Sequence, residues 1–286
     1  MDQRESNEVF TMQQAKRAGF ETRSVLKDDF GIEIPVELAP LPSGGKIYSP
    51  DSPLHMQEAI EIKAMTARQE DILTSRALIK NGTVITELLK SCLVNPAIDV
   101  DSMIAGDRNA LMVAIRITGY GSSYDIKSIE CPVCNKKSEQ SFDLSSLQVK
   151  QLNIDPILQG ENVFQFQLPV SGHTVKFKYL TGKDERELTH MAERKKKLNL
   201  SKDDSVTSAL AFSIVSVTTK TAEITDKTKI GMFVQSMPAR DSLALRHFME
   251  KNEPGIDMKA EMSCPHCSEE SEVRLPLEAS FFWPDR

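Results

Sequence analysis

The chain has 286 residues, of which 40% are hydrophobic and 27% are charged. This is the composition of an ordinary globular protein with material for one large core or two smaller ones. The formal net charge of -6 at pH 7 argues against broad electrostatic binding of nucleic acid, which requires a clustered basic footprint. The longest apolar run, residues 110–115, is too short to span a membrane, and the first residues lack the apolar core of a secretory signal. We therefore expect a protein made in, or assembled from, a reducing cytoplasm.

The first 35 residues are polar with only scattered apolar positions. A segment of this composition cannot bury enough apolar surface to fold by itself. We therefore predict that residues 1–35 form an arm that becomes ordered only against a partner. Two clusters of turn-forming residues follow, at 41–46 and 49–53.

A strand and a capped helix open the first half of the remaining chain. Apolar residues alternate over 60–62, as in a half-buried strand. Thr66 with Gln69 three positions later fits a capping box, which predicts a helix over residues 67–80. Gly82 supplies the stop signal for this helix.

The rest of the first half is predicted to be helical until a cysteine hairpin. Apolar residues recur at helical spacing over 85–92 and again over 110–117, where Gly119 closes the pattern. A strand over 124–129 then leads into Cys131-Pro132-Val133-Cys134, and alternating apolar residues follow it. We predict that this Cys-Pro-x-Cys knuckle forms the tight turn of a two-stranded hairpin, with two thiols at its tip.

The second half repeats this order. Residues 148–162 predict a linker, and Ser171-Gly172 predicts a hairpin of residues 164–168 and 175–179. Thr181 with Asp184 is a looser helix cap, because Asp is shorter than the usual Glu or Gln. Further helices are predicted over 206–217, 230–237 and 243–249, and a strand over 256–262 leads into the second knuckle, Cys264-Pro265-His266-Cys267.

The two halves also match residue by residue. Residues 60–73 resemble 175–188, and residues 129–144 align without gaps on 262–277. We interpret the chain as an α+β protein, internally duplicated, with two copies of a helix-plus-hairpin unit. The predicted organisation is an arm (1–35), a first repeat (36–147), a linker (148–162) and a second repeat (163–286). The basic run at 194–197 is interpreted as the solvated face of a charged helix in the second repeat.

Four of the five cysteines lie in the two knuckles. Cys131, Cys134, Cys264 and Cys267 together supply the four thiolates of a closed structural Zn²⁺ site. The alternatives are a redox dithiol or two unrelated pairs, but a redox CxxC usually opens a helix after a strand, a context that neither copy has. Four thiolates leave no open position for an activated water, so the predicted zinc is structural and joins the two halves.

Other reactive residues receive structural interpretations. Cys92 lies at helical spacing with apolar residues and is assigned to the core. His266 could replace a cysteine, although the centre of a tight turn disfavours ligation. Glu70 and Glu185 recur in the two copies, where first-turn acids favour the helix dipole. No nucleophile elbow, zinc protease motif, P-loop or dinucleotide fingerprint is present, so we predict neither catalytic residues nor an organic cofactor.

The chain resembles the baseplate hub assembly protein family of T-even-type contractile-tailed bacteriophages. The resemblance covers most of residues 36 to 150 and weakens afterwards. The second cysteine pair varies among its members, so the complete pair here departs from the family. The matching segments are 41–48 (LPSGGKIY), 53–55 (PLH), 62–71 (IKAMTARQED), 107–110 (DRNA), 116–121 (RITGYG) and 131–134 (CPVC).

This resemblance implies a non-enzymatic structural or assembly protein of the baseplate, in the host cytoplasm during assembly and then in the tail. The resemblance implies other baseplate or hub proteins as partners, and it implies no association with a membrane. Candidate partner contacts are the N-terminal arm and Phe281, Phe282 and Trp283, three aromatics that fit either a last core plug or an interface anchor.

The alternative function is a zinc-ribbon module that binds nucleic acid, which Lys136 and Lys137 favour and the acids after the second knuckle oppose. A metal-poised redox switch is a third hypothesis.

Overall fold

The computed structural model describes residues 25–27, 31, 33–197, 205–219, 222–277 and 279–282. Over these residues the chain is a mixed α+β protein, as predicted, with eight α-helices and several small antiparallel sheets. The helices are α1 (Ala67–Thr74), α2 (Arg76–Asn81), α3 (Val84–Cys92), α4 (Ala105–Tyr120), α5 (Gly182–Lys197), α6 (Ser205–Ser213), α7 (Lys227–Ser236) and α8 (Ala239–Asn252). The strands are β1 (Val25–Lys27), β2 (Glu33–Pro40), β3 (Ala59–Lys63), β4 (Ser123–Glu130), β5 (Lys137–Asp143), β6 (Val149–Lys150), β7 (Phe164–Gln167), β8 (Thr174–Phe177), β9 (Ile214–Thr218), β10 (Glu223–Ile224), β11 (Gly255–Ile256), β12 (Lys259–Ser263) and β13 (Glu270–Arg274).

The strands pair into five small sheets within the described part of the chain. One sheet has the order β1-β2-β3 and another the order β10-β9-β8-β7. The pairs β4–β5, β12–β13 and β6–β11 stand as separate two-stranded ladders. Because an isolated two-stranded hairpin is marginally stable in water, β4–β5 and β12–β13 depend on what they pack against.

Helix α4 runs through the centre of the core. Its residues 110–115 are all buried, so the apolar run in the sequence belongs to a helix that is covered on every side. The core around it is continuous: buried side chains from residues 39 to 117 and from residues 164 to 282 belong to one cluster. None of the helices in the described part of the chain combines the length and apolar character that crossing a bilayer requires.

A buried hydrogen-bond network fastens the turn at residues 41–48 to the start of α4. The Asp107 carboxylate accepts the Ser43 backbone N–H (2.9 Å), the Ser43 hydroxyl (2.6 Å) and the Tyr48 hydroxyl (2.5 Å). The Tyr48 oxygen in turn accepts the N–H of Ile104 at 3.2 Å. Burial raises the pKa of Asp107, and the bonds from Ser43 and Tyr48 oppose this rise. Gly45 adopts φ +68°, and a Cβ there would lie 2.3 Å from the Leu54 carbonyl oxygen, so only glycine fits this turn.

A second polar cluster joins α5 to the first half of the chain. The Arg108 guanidinium contacts Glu185 (3.3 Å) and donates to the Thr86 hydroxyl (3.3 Å), and Arg186 is paired with Asp101. Burial lowers the pKa of Arg108, and the nearby Glu185 and Asp101 carboxylates counter this effect. Glu185 therefore contacts the first half of the chain from its position in the first turn of α5.

Several predicted elements are confirmed. Gln69 Oε1 accepts the Thr66 backbone N–H at 2.9 Å, and Asp184 Oδ2 accepts that of Thr181 at 3.0 Å, so both helices start as predicted. Gly82 caps α2 in the left-handed conformation, with φ +68°. The hairpin predicted around Ser171-Gly172 is present as β7–β8.

Several predicted boundaries are wrong, among them the strand predicted over 256–262, which is divided into β11 and β12. The helix predicted over residues 67–80 breaks at Ser75, whose ψ of 106° is extended, and becomes α1 and α2. Gly119 lies inside α4 instead of ending it, and the cap is Gly121. The helix predicted over residues 206–217 stops at Ser213, because the β-branched residues after it form β9 and pair with β8.

The aromatic residues near the C-terminus belong to the core. Phe281 and Phe282 are fully buried, and the Phe281 ring meets Tyr124 edge to face with centroids 5.0 Å apart. Buried Arg116 donates to the carbonyl oxygen of Phe281 at 3.1 Å. Of the two interpretations of these phenylalanines, a last core plug or an interface anchor, their burial supports the core plug. Trp283 and residues 1–24, 28–30 and 32 of the predicted arm lie outside the described residues. Residues 25–27 and 33–35 of that arm belong to β1 and β2 and pair with each other.

We predict that Asp107→Ala lowers the free energy of unfolding by roughly 3–5 kcal/mol, because three buried donors lose their acceptor. Urea unfolding followed by circular dichroism measures this change. Asp71→Ala, at an exposed position in α1, is the matched control and should change stability by less than about 0.5 kcal/mol. Equal stabilities of the two variants would contradict the proposed role of the network.

Candidate metal centre

The first cysteine knuckle is the tip of the β4–β5 hairpin. The Val133 backbone N–H points at Cys131 Sγ (3.4 Å), and the Asn135 N–H donates to the Cys131 carbonyl (2.9 Å). The Cys131 N–H closes the turn on the Lys136 carbonyl at 2.9 Å. Asn135 adopts a left-handed conformation with φ 57°, which Asn tolerates better than most residues.

The second knuckle, at the tip of β12–β13, has the same backbone design. The His266 N–H points at Cys264 Sγ (3.4 Å), and the Ser268 N–H donates to the Cys264 carbonyl (2.8 Å). The Cys264 N–H bonds to the Glu269 carbonyl at 3.0 Å. Ser268 is left-handed with φ 58° and lies four residues after the first cysteine, as Asn135 does. In both knuckles, a backbone donor faces the first sulfur.

The two knuckles bring their four sulfurs together. Cys131 Sγ lies 3.8 Å from Cys267 Sγ, and Cys134 Sγ lies 3.7 Å from Cys264 Sγ. All four sulfurs are within 4.8 Å of one another. A tetrahedron of sulfurs at the usual Zn–S distance of about 2.3 Å has edges of about 3.8 Å. The cluster therefore has the dimensions and the donor set of a four-thiolate zinc site.

The acidities of the thiols are unequal. The backbone N–H groups of His266 and Cys267 lower the pKa of Cys264 to about 6. Although the N–H of Glu269 acts in the opposite direction, burial and the neighbouring sulfurs raise the pKa of Cys267 to about 12. The neighbouring sulfurs raise the pKa of Cys267 because crowding anions in one place is unfavourable. A divalent cation at the centre would compensate this repulsion.

The remaining candidates lie outside the cluster. Cys92 is fully buried in the core, as predicted, and burial raises the pKa of its thiol to about 11. His266 Nε2 lies 3.4 Å from the Lys137 carbonyl oxygen, while its backbone N–H faces Cys264. His266 thus contributes to the site through its main chain.

Contacts beyond the cysteines hold the two hairpins side by side. Gln140 on β5 donates to the Ser263 carbonyl at the end of β12 (3.2 Å). Tyr124 on β4 packs on Phe281, which lies in the segment after β13. Sequence reasoning missed these contacts because neither pair has a local signal. The left-handed residues Asn135 and Ser268 did have a local sequence signal for a turn, since Asn and Ser are common turn residues.

A model of the family described as T4 bacteriophage base plate protein matches residues 35–283. The chain belongs to this T4 base plate protein family. No match was found among curated proteins or among solved structures. The match extends over both cysteine knuckles and most of the second half, well beyond the segments that carry the resemblance in the sequence. Membership identifies the chain as a phage baseplate protein, and it implies other baseplate proteins as partners.

We predict that Ser268→Gly leaves stability unchanged or raises it by up to about 1 kcal/mol, because glycine adopts φ 58° without strain. Ser268→Val should lower the free energy of unfolding by about 1–2 kcal/mol, because a β-branched side chain disfavours this conformation. Urea unfolding measures both changes. Ser263→Val, at an exposed strand position, is the control and should be nearly neutral. A Ser268→Val variant as stable as this control would show that the turn conformation is different.

Proposed function

We propose that this protein is a non-enzymatic structural or assembly component of the hub region of a contractile-tail baseplate, stabilised by one structural Zn²⁺. The observation that carries the proposal is the convergence of four cysteine sulfurs from the middle and the end of a T4 base plate family chain. Cys131, Cys134, Cys264 and Cys267 are the proposed ligands. Assembly would take place in the host cytoplasm, before incorporation into the tail.

A closed sulfur shell supports a structural rather than a catalytic metal. Four thiolates saturate tetrahedral zinc, so no position remains for a water or a substrate. Structural zinc contributes an apparent 10–16 kcal/mol in small peptides, roughly the whole stability of an ordinary domain of about 5–15 kcal/mol. Cross-linking a loop of this length adds about 4–5 kcal/mol through the unfolded state in the chain-entropy model. A metal here would therefore decide whether the two hairpins stay docked.

We also propose that the chain arose by duplication, with a first repeat over 36–147 and a second over 163–286, joined by residues 148–162. The matching hydrogen bonds of the two knuckles support this proposal, and so do the equivalent helix starts at Thr66 and Thr181. The copies differ in their sheets, since β2–β3 pairs with β1 whereas β7–β8 pairs with β9 and β10.

A rigid double hairpin suits an assembly protein. A baseplate component must present fixed surfaces to several neighbours, and loops of two-stranded hairpins are poorly fixed unless something holds them. The knuckle residue Val133 is 57% exposed, so one apolar side chain at the hairpin tip is accessible. We therefore assign the double hairpin a scaffolding role.

We predict that the purified protein holds one zinc per chain and that Cys134→Ser and Cys264→Ser each lose most of it. Both variants should unfold at markedly lower temperature, because three ligands leave an incomplete shell. Metal content by plasma mass spectrometry and thermal unfolding measure the two effects. Cys92→Ala is the matched control: it removes a core thiol and should retain the zinc. Full zinc in either ligand variant would contradict the assignment.

A second prediction concerns assembly in infected cells. Phage that carry Cys264→Ser should accumulate tail precursors instead of complete baseplates, because the misfolded hairpins cannot scaffold the hub. Electron microscopy of lysates and mass spectrometry of purified intermediates provide the readout, with phage carrying Cys92→Ala as control. Normal numbers of baseplates in the Cys264→Ser phage, or absence of the wild-type chain from baseplates and from their precursors, would contradict the function.

A further inference from the structure

A cleft of about 510 Å³ lies in the first half of the chain, between the start of α1 and the end of α3. Part of its lining is apolar and consists of Ile72, Leu93, Val94 and Pro96. Its polar part includes Gln69 and Ser91, and Gln69 Nε2 donates to the Ser91 hydroxyl at 3.3 Å. The cleft shares no residue with the cysteine cluster, so its chemistry is independent of the proposed zinc.

Three cations and one carboxylate line this cleft. The cations are Lys63 at the end of β3, Arg68 in the first turn of α1 and Lys90 in the last turn of α3. The carboxylate belongs to Glu87 on α3. In the described part of the chain none of the three cations forms an ion pair or a side-chain hydrogen bond, with Glu87 or with any other group. The lining therefore has an excess of positive charge in a chain whose net charge is -6.

The second half of the chain neutralises the lysine that corresponds to Lys63. In the sequence match between the two halves, Lys63 aligns with Lys178, and Gln69 aligns with Asp184. Lys178 Nζ bonds to both carboxylate oxygens of Asp184, at 2.8 and 2.7 Å. Gln69 and Asp184 both accept a threonine N–H at the start of their helices, but only Asp184 carries a negative charge. Lys63 consequently lacks the counter-charge that its equivalent has.

Helix stability does not explain the position of Arg68. A cation in the first turn of a helix opposes the helix dipole, whereas a cation in the last turn, such as Lys90, is favoured by it. Arg68 and Lys90 are exposed and Lys63 is half-buried, so a group that enters the cleft can reach them. The charges of Lys63 and Arg68 are thus left for a group outside the chain.

We propose that this cleft binds an acidic segment of another protein, which is a baseplate neighbour if the proposed function holds. One carboxylate of the segment pairs with Lys63, in the role that Asp184 has in the second half, and a second carboxylate pairs with Arg68. An aliphatic side chain of the segment packs on the apolar part of the lining, as in interfaces where a charged rim orients an apolar anchor. Nucleic acid fits less well, because Glu87 and the negative net charge oppose its phosphates.

The test uses the full-length protein and a short fluorescein-labelled peptide composed of Glu and Leu. Fluorescence anisotropy measures its dissociation constant at an ionic strength of about 0.15 M, where contacts over less than about 8 Å still act. Gln69→Glu should weaken binding by about fivefold or more, because it gives Lys63 a carboxylate of its own. Glu suits the capping box as well as Gln does, and Asp184, which is about as buried, shows that a carboxylate is accommodated there. Gln167→Glu, at an exposed position on β7, is the matched control and should change the affinity by less than about twofold.

A charge reversal gives the second comparison. Arg68→Glu replaces attraction by repulsion and should weaken binding by about tenfold or more. The variant keeps α1, because an acid in the first turn favours the helix dipole. Arg240→Glu is its matched control, since Arg240 is the exposed second residue of α8 as Arg68 is of α1, and it should bind within about twofold of wild type. Circular dichroism verifies that all four variants are folded.

Three further ligands test specificity: peptides with Gln or with Lys in place of Glu, and a single-stranded oligonucleotide. Each should bind at least about tenfold more weakly than the acidic peptide. The proposal is overturned if the acidic peptide does not bind at concentrations up to about 1 mM, or if Gln69→Glu and Arg68→Glu bind it like their controls. An oligonucleotide that binds as tightly as the peptide would overturn it too.

Two other occupants are distinguished by further variants. Peptide binding that appears only when Asp28→Asn and Asp29→Asn are introduced together would mean that the chain's own segment fills the cleft. Self-association that Arg68→Glu abolishes would mean that a second copy fills it. Either result overturns the proposal. Because the peptide contacts none of the four cysteines, failure of this test leaves the zinc assignment and the assembly function to be judged by their own experiments.

Discussion

The convergence of four cysteine sulfurs is the constraint on which the rest of the structure depends. The hairpins that carry them are two-stranded and belong to no larger sheet in the described part of the chain. Their inner faces supply a few apolar side chains, among them Tyr124 and Phe142, and their outer faces are polar. The apolar surface that these few side chains bury is too small to stabilise a two-stranded hairpin by itself. The sulfur cluster, with the proposed zinc, explains why two such hairpins lie side by side.

Several contacts in the described part of the chain join its two halves, among them the cysteine cluster and the start of α5. At the cysteine cluster the contact is between hairpin tips, whereas at α5 it consists of Arg108 with Glu185 and Arg186 with Asp101. Between them runs the buried helix α4, which the Asp107 network fastens to the preceding turn and which Arg116 ties to the last described residues. Because each junction links segments far apart in sequence, loss of one would loosen the continuous core instead of releasing an independent domain. This arrangement suits a protein that presents fixed surfaces to baseplate neighbours.

Sequence patterns predicted the parts of this structure that have local causes. Capping residues after Thr66 and Thr181, the glycine stop at Gly82 and the spacing within each knuckle all act over a few residues. The sequence did not predict features that depend on contacts between residues far apart in the chain. Residues 214–217 were expected to continue a helix, but pairing with β8 overrides their local pattern. The sequence around Asp107 did not predict its hydrogen bonds with Ser43 and Tyr48, because these partners are distant in the chain and meet it only in the folded protein. For Phe281 and Phe282 the sequence left a core plug and an interface anchor open, and the contacts of Phe281 with Arg116 and Tyr124 favour the core.

The most direct test of the account is X-ray absorption spectroscopy at the zinc edge on the full-length protein purified without added metal. The account predicts a single zinc environment with four sulfur neighbours at about 2.3 Å and no nitrogen or oxygen ligand. A first shell that contains nitrogen or oxygen would mean an open or different site. Absence of zinc from folded protein would show that the hairpins dock without a metal and would contradict the central claim.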